Sequence, residues 1–452
     1  MQNDVIRQIY IQTEGNHFVR NGEKIILRGW ALGSWMNFEH FMMGLPGTHS
    51  MILEAFEQVY GKERAGEWLE QMLVNMVSEE DIRYLKHIGI NSVRIPFGYH
   101  FLMDDRNPGV FLESGFEKLD RVVKLCQKYE LFVILDLHSV PGGQNTDWHS
   151  DNITGQPLFW QYRCFQDQVV WLWEELASRY ADNPWIVGYD IINEPGYGLT
   201  EEQINGFYER ICAAVRKKDP HHIFFLEGID FGRDFAPLRA LADGQVAYTV
   251  HFYPFVLEED VLSGQMDDER RMEIFTEIFE RQLCETRRFG RPIWCGESGY
   301  EILEGQEEFY AMLLSHNIAL CEERGISWNL WTYKDARRMG IVIPEQKSEW
   351  MQLVYKISGK WGHEWEQKVS MEITKWIGEK YYQPLDDKMA YDLDFRIRSV
   401  MHRIGVEQIL KPALAEIPWQ RMKDFPKSFA FSVCEKREII VDMVRRLVSA
   451  DE

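Results

Sequence analysis

Short β-branched and aromatic runs alternate with longer stretches whose apolar residues recur at helical spacing, from about residue 24 to about residue 350. Eight runs read as strands: Ile25–Trp30, Ser92–Phe97, Leu131–His138, Ile186–Glu194, His222–Glu227, Val246–Tyr253, Pro292–Glu297 and Ile326–Tyr333. Each is nearly continuous in hydrophobicity, the pattern of a parallel sheet buried on both faces. Between them lie amphipathic segments such as Ser78–Gly89, which opens like a capping box, and Glu117–Glu130. Eight strands alternating with helices predict an α/β fold, a (β/α)8 TIM barrel. Beyond about residue 350 the strand signals fade and helical periods take over. The expected organisation is a barrel over residues 1–350 with a mainly helical C-terminal extension over 351–452 packed on it.

Polar and aromatic residues gather where the strands end, at Arg94, His138, Glu194, His251, Tyr253, Glu297 and Trp331. In such a barrel all seven face one mouth, the C-terminal rim where the chemistry sits. Two long insertions are placed to wall that mouth. One runs from Gly33 to Val77, aromatic-rich and partly helical in pattern; the other runs from Ser139 to Trp160 and is polar with Gly, Pro and Trp.

Charge narrows the partners. With 50 Lys+Arg against 71 Asp+Glu, the net charge of −21 argues against nucleic acid and anionic membrane surfaces, and suits a neutral small molecule or carbohydrate. The first residues lack a basic start followed by an apolar run, no segment approaches bilayer-spanning length, and the seven cysteines form no CxxC pair. A reducing, cytoplasmic location with free thiols is the expectation.

Glu194 sits in INEPG and Glu297 in CGESG. Pro195 blocks continuation of a strand ladder, while Gly296 and Gly299 allow close approach by a ligand or another backbone. Two carboxylates across one mouth are what glycosidic-bond cleavage requires: one protonates the leaving oxygen, and the other attacks the anomeric carbon or activates water there. A single Asn-Glu-Pro tripeptide is also compatible with a surface turn. The placement of both glutamates at strand ends is what favours chemistry.

This set resembles glycoside hydrolase family 5, the cellulase-type family, over about Ile25 to Trp350. Arg94 in VRIPF, His138 in LDLHSVPG, Asn193–Glu194, His251 and Tyr253 in HFY, Glu297 and Trp331 each match a position of the family pattern. The resemblance implies a retaining mechanism without metal or cofactor. Glu297 is then the nucleophile, held by Arg94 and the Tyr253 hydroxyl, and Glu194 the acid/base, its pKa raised by the neighbouring carboxylate. Asn193 addresses the sugar 2-hydroxyl, Trp331 stacks under the ring, and His138 and His251 surround the −1 site. Arg94 is also a candidate for a structural ion pair, and each histidine for a satisfied core residue. Only one of Trp328 and Trp331 can face the mouth.

Trp148 and His149, near Asp147 and Asp151, either line the sugar pocket or order their loop; His221–His222 and the His40 and His49 pair offer no HxH or HExxH metal pattern. Lys334, Arg337 and Arg338 read as a solvated loop paired to acidic neighbours, with recognition of a charged substrate group as the sharper alternative. The long first insertion favours a pocket over an open cleft. The expectation is an exo-acting, β-glucosidase-like enzyme for small glycosides or oligosaccharides, with an endo-acting glucanase or mannanase and a non-catalytic carbohydrate-binding barrel as the other readings.

Overall fold

The computed structural model describes residues 9–381 and 384–449. Eight parallel strands close into a barrel: β1 (Arg28–Ala31), β2 (Ser92–Gly98), β3 (Phe132–Ser139), β4 (Ile186–Asp190), β5 (Ile223–Glu227), β6 (Val246–His251), β7 (Ile293–Glu297) and β8 (Ser327–Leu330). They pair in sequence order, and β8 pairs with β1. Nearly every strand position is buried, which accounts for the continuous hydrophobicity of the runs. The expected (β/α)8 barrel is the observed fold.

Strand limits differ from the sequence expectation at several points. The first barrel strand starts at Arg28, because Glu23–Ile25 pairs instead with His17–Arg20 in a three-stranded antiparallel sheet begun by Gln12–Glu14. That sheet sets Ile11 and Phe18 against Leu27, Phe132, Val187 and Trp294, sealing the N-terminal end of the barrel with apolar side chains. At the other end, Glu194, Tyr253 and Trp331 lie just past the last paired residues of β4, β6 and β8. Their side chains are aimed by loop backbone rather than by the ladder.

The helices start and stop where the sequence carries caps. Helix Glu79–Ile88 opens on the Ser78–Asp81 capping box and ends on Gly89 in the left-handed region at φ 101°. In the first insertion, α1 (His49–Tyr60) and α2 (Lys62–Met76) stack Phe56 on Trp68. Their core receives Trp350, whose indole N–H donates to the Met43 carbonyl at 3.0 Å. The short strand Cys434–Lys436 pairs with Val342–Pro344, and Arg437 donates to the carbonyls of Arg338, Gly340 and Ile302. Helices α3 (His363–Tyr381) and α4 (Asp387–Gly405) pack on each other, and α4 reaches the second insertion, where Ser399 donates to the Ile153 carbonyl at 3.0 Å.

The basic cluster after β8 departs from a solvated loop. Lys334 is buried, with its ammonium 2.6 Å from Asp81 and donating to the Phe429 carbonyl at 2.9 Å. An ammonium taken from water needs such compensation. Arg337 pairs with Glu435 and Arg338 with Glu301, so the cluster joins the extension to the barrel. All seven cysteines are free thiols. Among the described residues no helix is long and apolar enough to cross a membrane.

Candidate active site

The strand ends enclose a cavity of about 450 Å³ at the C-terminal rim. Of the ten residues expected at the site, nine line it: His138, Trp148, His149, Asn193, Glu194, His251, Tyr253, Glu297 and Trp331. Arg94 lies directly beneath, fully buried.

Glu194 is held in a left-handed conformation at φ 49°, which costs a residue with a Cβ roughly 1–2 kcal/mol. Its N–H donates to Glu227 Oε2 at 2.8 Å, and its carbonyl accepts from Asn145 at 2.9 Å. Those two bonds fix the turn that Pro195 begins. Glu297 ends β7, where the register against β6 shifts between Cys295 and Glu297, a local irregularity that re-aims the side chain. Gly296 is required there, since a Cβ would meet Thr249 Cγ2 at 2.4 Å. At Gly299 a Cβ would meet the Trp331 carbonyl at 2.1 Å.

Oxygens of Glu194 and Glu297 and a nitrogen of His251 lie within 4.8 Å of one another. Arg94 Nη1 engages Glu297 Oε1, and the Tyr253 hydroxyl donates to Oε2 at 2.9 Å. Burial and the adjacent Glu297 hold the Tyr253 phenol in its protonated, donating form. Arg94 also donates to Asp190 at 2.9 Å and to Asn193 Oδ1 at 2.8 Å, and its guanidinium lies 3.2 Å from Asp136. With Oδ1 so engaged, the Asn193 Nδ2 is a buried donor without a protein partner, on a residue that lines the cavity. Trp331 stacks on His138 with ring centroids 5.1 Å apart. Trp328 is turned the other way, its indole donating to Glu322.

Glu194 does not follow the expectation of a raised pKa. Burial acts upward, but His149 Nε2 at 3.0 Å from Oε2 and His251 Nδ1 at 2.6 Å from Oε1 outweigh it and hold the carboxyl well below the usual range. Both imidazoles are correspondingly raised: burial opposes their charge, and Glu194 for His149, and Glu227 and Glu297 for His251, override it. Asn145 Nδ2 also lies 2.8 Å from His149 Nε2, while its Oδ1 accepts the Asp147 N–H. An N–H aimed at that nitrogen acts against protonation of the ring and so opposes the pull of Glu194.

Four carboxylates escaped the sequence reading. Asp136, Asp190 and Glu227 are fully buried around Arg94, and their signal was a charge inside an otherwise apolar run, in LDLH, YDI and FFLE. Burial first, then the neighbouring Glu227, raises Asp190 well above the carboxylate range. The fourth, Glu39, comes from the first insertion. It is 3% exposed, lines the cavity, and presents Oε1 3.3 Å from His138 Nε2.

Among the described residues two groups have the donor types and spacing for a metal ion. In the first, Glu194–His251–Glu297, the Arg94 guanidinium already supplies the positive charge on Glu297. In the second, His40–Glu366–His402, the Gly47 N–H donates to His402 Nδ1 at 3.2 Å and His402 Nε2 lies 3.1 Å from Glu366.

A family model described as cellulase (glycosyl hydrolase family 5) matches residues 51–337. The chain is 32% identical over 469 aligned positions to a protein named beta-xylosidase from Phanerodontia chrysosporium, covering 95% of this chain and 96% of the relative. Cellodextrinase A of Ruminococcus flavefaciens is 28% identical, over 52% of this chain and 74% of its own. Among solved structures, Thermotoga maritima Cel5A in complex with cellobiose has a TM-score of 0.52 at 18% identity, covering 73% of this chain and 97% of that one, a likeness of fold.

Proposed function

This chain belongs to glycosyl hydrolase family 5, and from that premise we propose that it is a retaining, exo-acting β-glycosidase of small glycosides. The observation that carries the reading is the carboxylate pair, oxygens within 4.8 Å, in a cavity of about 450 Å³ lined by residues of both insertions, Glu39 and Phe41 of the first and Asp147, Trp148 and His149 of the second. Retaining enzymes hold their carboxyl groups about 5–5.5 Å apart, whereas inverting ones leave about 6.5–9.5 Å for a water.

In the first step Glu297 attacks the anomeric carbon, the bond to the leaving oxygen breaks, and Glu194 delivers a proton to that oxygen. In the second, Glu194 takes a proton from water, the water oxygen attacks the same carbon, and Glu297 departs as carboxylate. Arg94 and Tyr253 orient Glu297 for attack and receive its charge when it leaves. The free Asn193 N–H meets the sugar 2-hydroxyl, and Trp331 lies beneath the ring. Glu39 on the first insertion and His138 near the end of β3 supply further partners for sugar hydroxyls.

The expected glycone is β-glucosyl. The relative named beta-xylosidase, aligned along 95% of this chain, adds β-xylosyl as the second reading. Initial rates on nitrophenyl β-glucoside, β-xyloside and β-mannoside at matched concentration rank the sugars. Glu297→Gln abolishes turnover of all of them. Glu194→Ala loses it for poor leaving groups and recovers it with azide and an activated one, giving the β-glycosyl azide. Wild-type turnover in either variant overturns the assignment.

A further inference from the structure

Resting on that reading, we infer that the C-terminal extension builds the leaving-group subsite, and that this subsite takes an apolar, ring-bearing aglycone rather than a second sugar. Tyr391, Phe395 and Arg398 stand four and three residues apart on α4, a spacing that puts them on one helix face, and all three line the cavity. They reach it on the flank of Glu194, the group that protonates the leaving oxygen. The contacts run outward from it: His149 touches Glu194, the Phe231 ring lies 5.9 Å from His149, and Phe231 lies 6.4 Å from both Tyr391 and Phe395. Phe231 and Asp230 are both left-handed, at φ 60° and 54°, a strained pair that turns the ring onto this wall.

The chemistry of the wall selects the occupant. Beside Gln367 of α3, which also lines the cavity, most of its polar groups are engaged within the protein. Arg398 bonds Asp394 at 2.6 Å and Ser370 at 3.2 Å while lying over the Phe395 ring, Arg233 bonds Asp230, and the Tyr391 hydroxyl meets Thr146 at 3.1 Å. What remains toward the cavity is chiefly aromatic surface. A second pyranose would bring hydroxyls with few partners to meet them, and that leaves polar groups poorly satisfied on binding. An apolar ring system gains by burial there. The cavity of about 450 Å³ is of the size that holds drug-sized ligands, so a single sugar leaves space beside it.

The test uses the full-length enzyme and a series of β-glycosides of one sugar whose leaving groups are primary alcohols of similar basicity: ethyl, 2-phenylethyl and 2-(2-naphthyl)ethyl, with the corresponding disaccharide. The expected order of kcat/KM rises from ethyl to naphthylethyl by about 10- to 100-fold, with the disaccharide below the naphthylethyl glycoside. In Phe395→Ala the naphthylethyl-to-ethyl ratio falls about tenfold, and in Phe395→Leu by less, with melting temperatures reporting that each variant is folded. A flat series, a preference for the disaccharide, or an unchanged ratio in both variants overturns the inference, while ethyl glycoside turnover that Glu297→Gln abolishes still upholds the glycosidase reading. Absence of turnover on every member removes both.

Discussion

His149 and His251 grip opposite oxygens of Glu194, at 3.0 and 2.6 Å, so both lone-pair faces of that carboxyl are engaged by imidazole. In the proposed mechanism His149 is therefore placed to exchange a proton with the acid/base Glu194. In His149→Gln, kcat/KM for poor leaving groups falls about tenfold or more, while an activated dinitrophenyl glycoside, which needs little protonation, is much less affected. The sign of the pH effect follows from the shifts. His149 is raised above 6.5, so the cluster keeps its proton until pH passes that raised value; without His149 the limb is set by Glu194, still lowered by His251. The basic limb of the kcat/KM profile moves to lower pH. An unmoved limb with an equal loss on both substrates would make His149 a structural residue.

Glu39 brings a buried carboxylate into the cavity from an insertion outside the barrel strands. Glu39→Ala lowers kcat/KM about 10- to 100-fold on simple glycosides, the worth of one or two hydrogen bonds to a charged group. Steady-state kinetics on a phenyl glycoside decide this; an unchanged value means that the sugar hydroxyls lie elsewhere.

Arg94 is the only guanidinium in contact with Asp136, Asp190, Glu227 and Glu297 together among the described residues. Arg94→Met leaves buried carboxylates uncompensated and destabilises the fold by about 3–5 kcal/mol in urea unfolding, besides disabling Glu297. Arg94→Lys keeps the charge but cannot reach Asp190, Asn193 and Glu297 at once, so activity falls further than stability.

His138 lies between Asp136 at 2.8 Å and Glu39 at 3.3 Å. Burial acts against its charge, but the two carboxylates prevail and lift it from 6.5 to about 10. A group raised on folding stabilises fully below its unfolded value and loses that contribution as pH climbs through the folded one. Stability should therefore decline between about pH 6.5 and 10, and His138→Gln should flatten that decline in denaturation midpoints measured across the range.

The barrel was legible because parallel strands buried on both faces must be apolar throughout, and the two glutamates because Pro195 and Gly296 punctuate their strand ends. The N-terminal sheet was missed, since strands of three or four residues such as Gln12–Glu14 and His17–Arg20 carry too few positions to show a period. Glu39 and α4 escaped for a different reason. Their place at the cavity depends on contacts between segments far apart in sequence, as when the Gly47 N–H of the first insertion donates to His402 Nδ1 of α4, 355 residues on, and no local pattern encodes such a meeting.

The cavity draws its two functions from different stretches of chain. The carboxylate pair lies just past β4 and at the end of β7, and the outer wall beside Glu194 is formed by α4, about 200 residues beyond Glu194 in sequence. On the proposed reading, substitutions in α4 alter which leaving group fits without touching either glutamate.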